Sequence, residues 1–186
     1  MLIEELFRRG IMKMGPARDD PSRQVGVFNM DTVAKFPAIR LSEIQKFAWI
    51  AGEWDSANKV PATSQNPPYT DISTGTYKLG EKDTWICLVD RAGNERRFIT
   101  FDPFSSQWIY LLAEGAYGIM RSPGWDGNQL VFSGLVTMIG VECHLRQTWT
   151  KASDDEFSFV NEELLPDGTW SYVDEWRLTR KPPAAS

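Results

Sequence analysis

A chain of 186 residues that is 42% hydrophobic can build one domain plus an extension around its own core, without disulfide support. Its 25 acidic and 20 basic residues leave a net charge of −5 and no basic stripe, which argues against nucleic acid as a partner. No stretch reaches the roughly 20 apolar residues of a membrane helix, and residues 1–9 lack the layout of a secretory signal, so a soluble cytoplasmic protein is expected.

Residues 1–40 read as an extension. Leu2, Ile3, Leu6, Phe7 and Ile11 recur at near-helical spacing and predict a short amphipathic helix that Gly15-Pro16 breaks. Packing on the domain, a homodimer contact and free motion are all open to it. Next, Ser42-Glu-Ile-Gln45 has the form of a capping box and predicts a helix start. Ile44, Phe47 and Ala48 fall on one side of this helix, Trp49 and Ile50 widen the apolar face, and Gly52 ends it.

From Gly52 the period becomes two. After Glu53-Trp54 and a proline-bearing loop, strands are predicted at 69–79, 84–90, 95–102, 107–113, 116–122, 129–137, 141–150, 156–164 and 169–180, separated by short turn sequences. Residues 41–181 are therefore the domain and 182–186 a tail. Short connections demand antiparallel neighbours, and closing a long meander removes its two open edges. The expected fold is all-β: an antiparallel up-and-down barrel of about eight to ten strands, with the short helix closing one end.

Eight Trp, ten Phe and five Tyr are the compositional anomaly, because rings on strands either fill a core or line a cavity. Trp85, Phe98, Trp108, Tyr110, Tyr117, Phe132, Phe157, Phe159, Tyr172 and Trp176 are spread over nearly every strand. Alternation puts Phe157, Phe159 and Asn161 on one face, and Trp170, Tyr172, Asp174, Trp176 and Leu178 on another. Asn161 and Asp174 are then polar groups on apolar faces, which must find a partner or a ligand inside a barrel. With Tyr172, Trp176 and Arg121 they are the expected polar anchor of a cavity.

His144 is the only histidine. It shares a face with Glu142, Arg146 and Thr148, opposite Val141, Cys143, Leu145 and Trp149. The apolar set reads as the interior, which places His144 outside. With the register inverted, Glu142, His144 and Arg146 would be an inward acid/base cluster, with Asp174 a further catalytic candidate. Cys87 and Cys143 lie in apolar strands without metal or redox spacing, as free thiols or as a disulfide if their strands are neighbours. One His and two separated Cys do not make a metal site, and no nucleophile elbow is present.

The order of helix, Gly52-Glu53-Trp54, meander and terminal Thr179-Arg180 resembles the calycin superfamily of lipocalins and fatty-acid-binding-like barrels. Trp125-Asp-Gly-Asn-Gln-Leu-Val-Phe132, Arg146-Gln-Thr-Trp149, Asp155-Glu-Phe157, Asp167-Gly-Thr-Trp170 and Glu175-Trp-Arg177 are similar to bacterial lipocalin-like families of unknown function. The resemblance implies that Gly52 and Trp54 close one end of the barrel, with Arg180 or Arg177 packed across the tryptophan. The closed meander and its aromatic load lead us to expect a small, mostly apolar or aromatic molecule held inside, against Trp85, Trp108, Tyr110, Tyr117, Arg121, Phe132, Phe159, Asn161, Tyr172, Asp174 and Trp176. Related haem barrels use one histidine of a C-terminal motif that this chain lacks; no cofactor is expected, with haem on His144 as the alternative. A barrel-housed isomerase, cyclase or hydratase and a homo-oligomeric interaction module are the other functional readings.

Overall fold

The computed structural model describes residues 2–90 and 92–182; most of the expected tail 182–186 lies outside the described residues. Helix α1 (Leu2–Arg8) is followed by a hairpin of β1 (Met12–Pro16) and β2 (Gln24–Phe28), then by α2 (Met30–Val33) and α3 (Phe36–Phe47). The first helix thus stops well before Gly15-Pro16. Gly10, in the left-handed region at φ 67°, ends it, and residues 12–16 pair as an antiparallel strand instead. The capping box is also corrected: α3 begins at Phe36, with proline in its first turn, and Ser42 lies inside the helix. Pro37 was the true start signal, because a helix tolerates proline only where the amide is unbonded anyway.

After a 3₁₀ turn at Ala48–Ile50 come β3 (Gly52–Val60), β4 (Tyr69–Leu79), β5 (Ile86–Val89), β6 (Glu95–Asp102), β7 (Gln107–Glu114), β8 (Ala116–Ser122), β9 (Trp125–Asp126), β10 (Gln129–Met138), β11 (Val141–Lys151), β12 (Glu156–Leu164) and β13 (Trp170–Arg180). Consecutive strands pair antiparallel, with β10 taking the place beside β8, and the last strand returns to the first over Arg180↔Trp54 to Glu175↔Lys59. The sheet is a closed ten-strand barrel, with the two-residue β9 added on β10. No helix among the described residues is long and apolar enough to cross a membrane.

One half of the barrel is solid. Ile44, Phe47 and Ile50, fully buried, descend from α3 and the 3₁₀ turn onto Trp54, Trp108, Trp149 and Phe157. Phe47 meets Trp108 and Trp149 edge-on at 5.5 and 5.7 Å, an arrangement that suits the ring quadrupoles. The helix is held by this packing, since twelve residues of weak amphipathicity would not persist alone.

Where β8 crosses β10 the backbones approach so closely that only glycine fits. A Cβ on Gly134 would lie 2.4 Å from the Ile119 carbonyl oxygen and 3.0 Å from Met120 Cα, backbone atoms that cannot swing aside. Gly134→Ala is therefore expected to cost about 2–3 kcal/mol, as overpacking does. Urea unfolding measures it, and a loss under about 0.5 kcal/mol would contradict the crossing.

Candidate functional site

The closed end is built from Gly52, Trp54 and Arg180. Trp54 is fully buried and donates its indole N–H to the Ile50 carbonyl at 2.7 Å. The Arg180 guanidinium sits 4.4 Å over the Trp54 ring, donates to Ala51 O at 2.8 Å and to Asp154 O at 2.7 Å, and also reaches Trp49 O. Gly52, at φ 139°, leaves the space: a Cβ there would meet Arg180 Nη1 at 2.3 Å. Arg177, by contrast, is exposed and pairs with Glu175, so of the two expected arginines only Arg180 closes the barrel.

Away from this end the interior is open. A cavity of about 350 Å³ lies among Ser56, Ser73, Tyr77, Leu88, Phe159 and Trp176, and a second of about 150 Å³ adjoins Leu145, Gln147, Asn161 and Asp174. Arg97 and Trp176 line both. The larger space exists because β3 and β4 point Ser56, Ser73 and Gly75 inward where neighbouring strands supply rings. Ser56 and Ser73 face each other across the pair with their hydroxyls 2.8 Å apart. Strand β4 pairs with β5 only from Thr76 to Leu79, so Ser73 to Gly75 border an opening toward Asp90 and Arg96 at the β5–β6 turn. That turn is fixed by Asp90, which accepts from the Asn94 amide at 2.9 Å and from Arg96 Nε at 2.6 Å. The Asn94 amide, ahead of the Asn94 and Arg96 side chains, draws the Asp90 carboxyl down to about 2.

A chain of polar side chains crosses the inner wall. Trp149 Nε1 donates to Gln147 Oε1 at 2.5 Å, Gln147 Nε2 to Asn161 Oδ1 at 2.7 Å, and Asn161 Nδ2 to Asp174 Oδ1 at 2.6 Å. Asp174 Oδ2 also accepts from Asn58 at 3.2 Å and from Trp176 Nε1 at 3.3 Å. Among the described residues the buried Asn58 Oδ1 has no partner. Arg97 reaches across to the Tyr110 hydroxyl at 3.4 Å. Tyr110 foremost, then Tyr77 and Asp174, hold its pKa above the ordinary arginine value against the pull of burial, so Arg97 stays charged. Burial, with Tyr110 adding to it, pushes the Tyr77 phenol far up, and Tyr77 stays neutral.

The predicted residues divide by face and by depth. Asn161, Asp174, Phe159 and Trp176 meet at the cavity, whereas Trp108, Tyr110 and Phe132 are buried core, Tyr110 touching the cavity group through Arg97. Trp85, Tyr117, Arg121 and Tyr172 are exposed and not in the cavity. Tyr172 leaves because a bulge after the Asn161↔Asp174 pair sets it opposite the outward Glu162, so Trp170 and Tyr172 do not share the face of Asp174. Trp85 instead meets Phe98 edge-on at 6.2 Å on the outer wall. His144 is exposed there too, 3.2 Å from Ser133 Oγ and edge-on to Trp170, while Arg146 pairs with Glu162 and stacks 4.2 Å over Trp170. Glu142 is likewise exposed. The inverted register is not adopted, and neither an inward acid/base cluster nor an interior iron ligand arises from His144. Cys87 and Cys143 are free thiols on strands that are not neighbours.

Arg97, Gln147, Asn58 and Ser56 also face the interior, outside the set expected from the sequence. Each carries the signal that marks Asn161: Arg97 is in step with Ile99 and Phe101, Gln147 with Leu145 and Trp149, and Ser56 and Asn58 with Trp54.

The closed ten-strand meander and the arginine-capped tryptophan fit a calycin-like barrel fold. No family model matches it, and no curated protein does. Among solved structures it is similar to Rv2717c from M. tuberculosis, 11% identical over 75% of this chain and 98% of that one, with a TM-score of 0.49. A redesigned β-barrel is 10% identical over 73% and 94%, at 0.36. A protein of unknown function from the DUF3598 family of Nostoc punctiforme is 14% identical over 76% of this chain and 50% of that one, at 0.33. Likenesses this distant give no residue a role.

Proposed function

We propose that the barrel binds one small, mostly apolar molecule in the interior space beside Trp176. The observation that carries this reading is the division of the barrel. Its closed half is packed solid with rings, while the other keeps about 350 Å³, within the range of small-molecule sites, walled by small side chains with a few convergent polar groups.

Binding to the native state raises stability by about 2.7 kcal/mol at a hundredfold excess over Kd. A ligand found by native mass spectrometry of freshly purified protein should therefore raise the melting temperature when added back. A bare mass, together with unchanged melting across lipids, aromatics and tetrapyrroles, would sink the proposal. Filling the space is the complementary test: Ser73→Leu should abolish binding of that ligand while the empty protein melts within a few degrees of the parent. Undiminished binding would place the ligand elsewhere.

A further inference from the structure

Four rings stand nearly parallel along the inner wall: Phe157 on Trp149 (5.3 Å between centroids, 14° between planes), Trp149 on Phe159 (5.3 Å, 21°) and Phe159 on Trp176 (5.7 Å, 18°). Offset stacks of this kind favour a further ring at either end. At the inner end Phe157 is closed off by Trp54, edge-on at 4.9 Å. At the outer end stands Trp176, which lines both cavities and whose indole N–H is tied to Asp174. The ladder stops there because the next strand, β3, offers Ser56 and Asn58 instead of a ring, with Asn58 directly opposite Trp176.

The same space holds a cation that makes no direct ion pair, Asp174 acting on it only through space. Arg97 is half-buried, and among the described residues no carboxylate makes an ion pair with it; its hydrogen bond is to the Tyr110 hydroxyl at 3.4 Å. Asp174, the nearest acid on the inner wall, already accepts from Asn58, Asn161 and Trp176. A guanidinium withdrawn from bulk water with one long hydrogen bond and no paired carboxylate keeps most of its desolvation cost, and an anionic group arriving with the ligand relieves it.

Resting on the binding reading above, we infer that the ligand is a planar aromatic acid, its ring laid against Trp176 as a fifth rung and its carboxylate paired with Arg97. A space of about 350 Å³ limits it to a few fused rings or fewer.

The test is titration of the full chain, by calorimetry and by tryptophan fluorescence, with 2-naphthoate, its neutral analogue 2-naphthalenemethanol and the aliphatic acid decanoate. Naphthoate should bind at least tenfold more tightly than either, the scale of a charge-assisted hydrogen bond. Arg97→Met should remove that advantage over the neutral analogue, Arg97→Lys should keep part of it, and Trp176→Leu should weaken both aromatic probes while sparing decanoate. Equal affinity for naphthoate and naphthalenemethanol in the parent protein would overturn the role of Arg97, whether or not the variants fold. Decanoate binding as tightly as naphthoate would overturn the stacking. If native mass spectrometry finds a bound molecule that is not an aromatic acid, and none of the probes binds, this inference fails and the binding reading stands. If nothing binds by any measure, both fail.

Discussion

Trp54→Ala is expected to remove about 3–5 kcal/mol of stability, the range for deleting a buried tryptophan. A domain of this size has only about 5–15 kcal/mol in total, so the variant should be largely unfolded well below the parent's melting temperature. Trp54 is fully buried, and its ring meets Phe157 edge-on at 4.9 Å and Trp49 at 6.4 Å. Its loss leaves a cavity beneath the chain closure and also strands Arg180, which stacks on it. Arg180→Lys separates the two effects. A lysine keeps the charge but not the planar fork that bonds Ala51 O and Asp154 O together. A loss of about 1–3 kcal/mol is expected from the unpaired carbonyls. Urea unfolding followed by circular dichroism reads both, and a Trp54→Ala variant within about 1 kcal/mol of the parent would mean that the end is closed by something else.

The barrel was legible in the sequence because two signals of different range agreed. Period-two patterning from Gly52 onward and short turns between strands dictate an antiparallel meander, and Gly52-Glu53-Trp54 with Arg180 marks where it joins itself. Faces were legible wherever alternation ran unbroken: Leu145, Gln147 and Trp149 are buried and His144 exposed, as strand parity requires. They were lost at the bulge. One extra residue near Val173 puts Tyr172 and Trp170 outside, and nothing in Trp170-Ser-Tyr-Val-Asp174 distinguishes a bulged strand from a regular one. Depth was not legible either. Trp108, Phe132 and Trp176 are all on inward positions, yet only Trp176 lines the cavity, because α3 fills the other half and its entry into the barrel depends on long-range packing. The cavity itself is a deficit of side chain at Ser56, Ser73 and Gly75, and attention to aromatic residues does not find a gap.

Asp174→Ala is expected to cost about 2–4 kcal/mol in the empty protein, the second large effect. Its carboxylate is the terminal acceptor of a chain that runs from Trp149 through Gln147 and Asn161, and it also takes the donors of Asn58 and Trp176. Alanine strands three donors at once, each half-buried or deeper, and orphaned donors cost more than the net worth of the bonds they lose. Asp174→Asn keeps the shape but turns an N–H₂ toward donors, so about 1–2 kcal/mol should go. In a double-mutant cycle with Asn161→Ala the two sites should couple by about 1–3 kcal/mol, because they share the shortest bond to this carboxylate. Had Asp174 been only a ligand anchor, its removal would abolish binding and leave the empty barrel as stable as before. A loss of stability without ligand instead identifies it as the post that holds the Trp176 indole in plane. Binding of aromatic probes should then weaken in Asp174→Ala through a Trp176 that is free to turn.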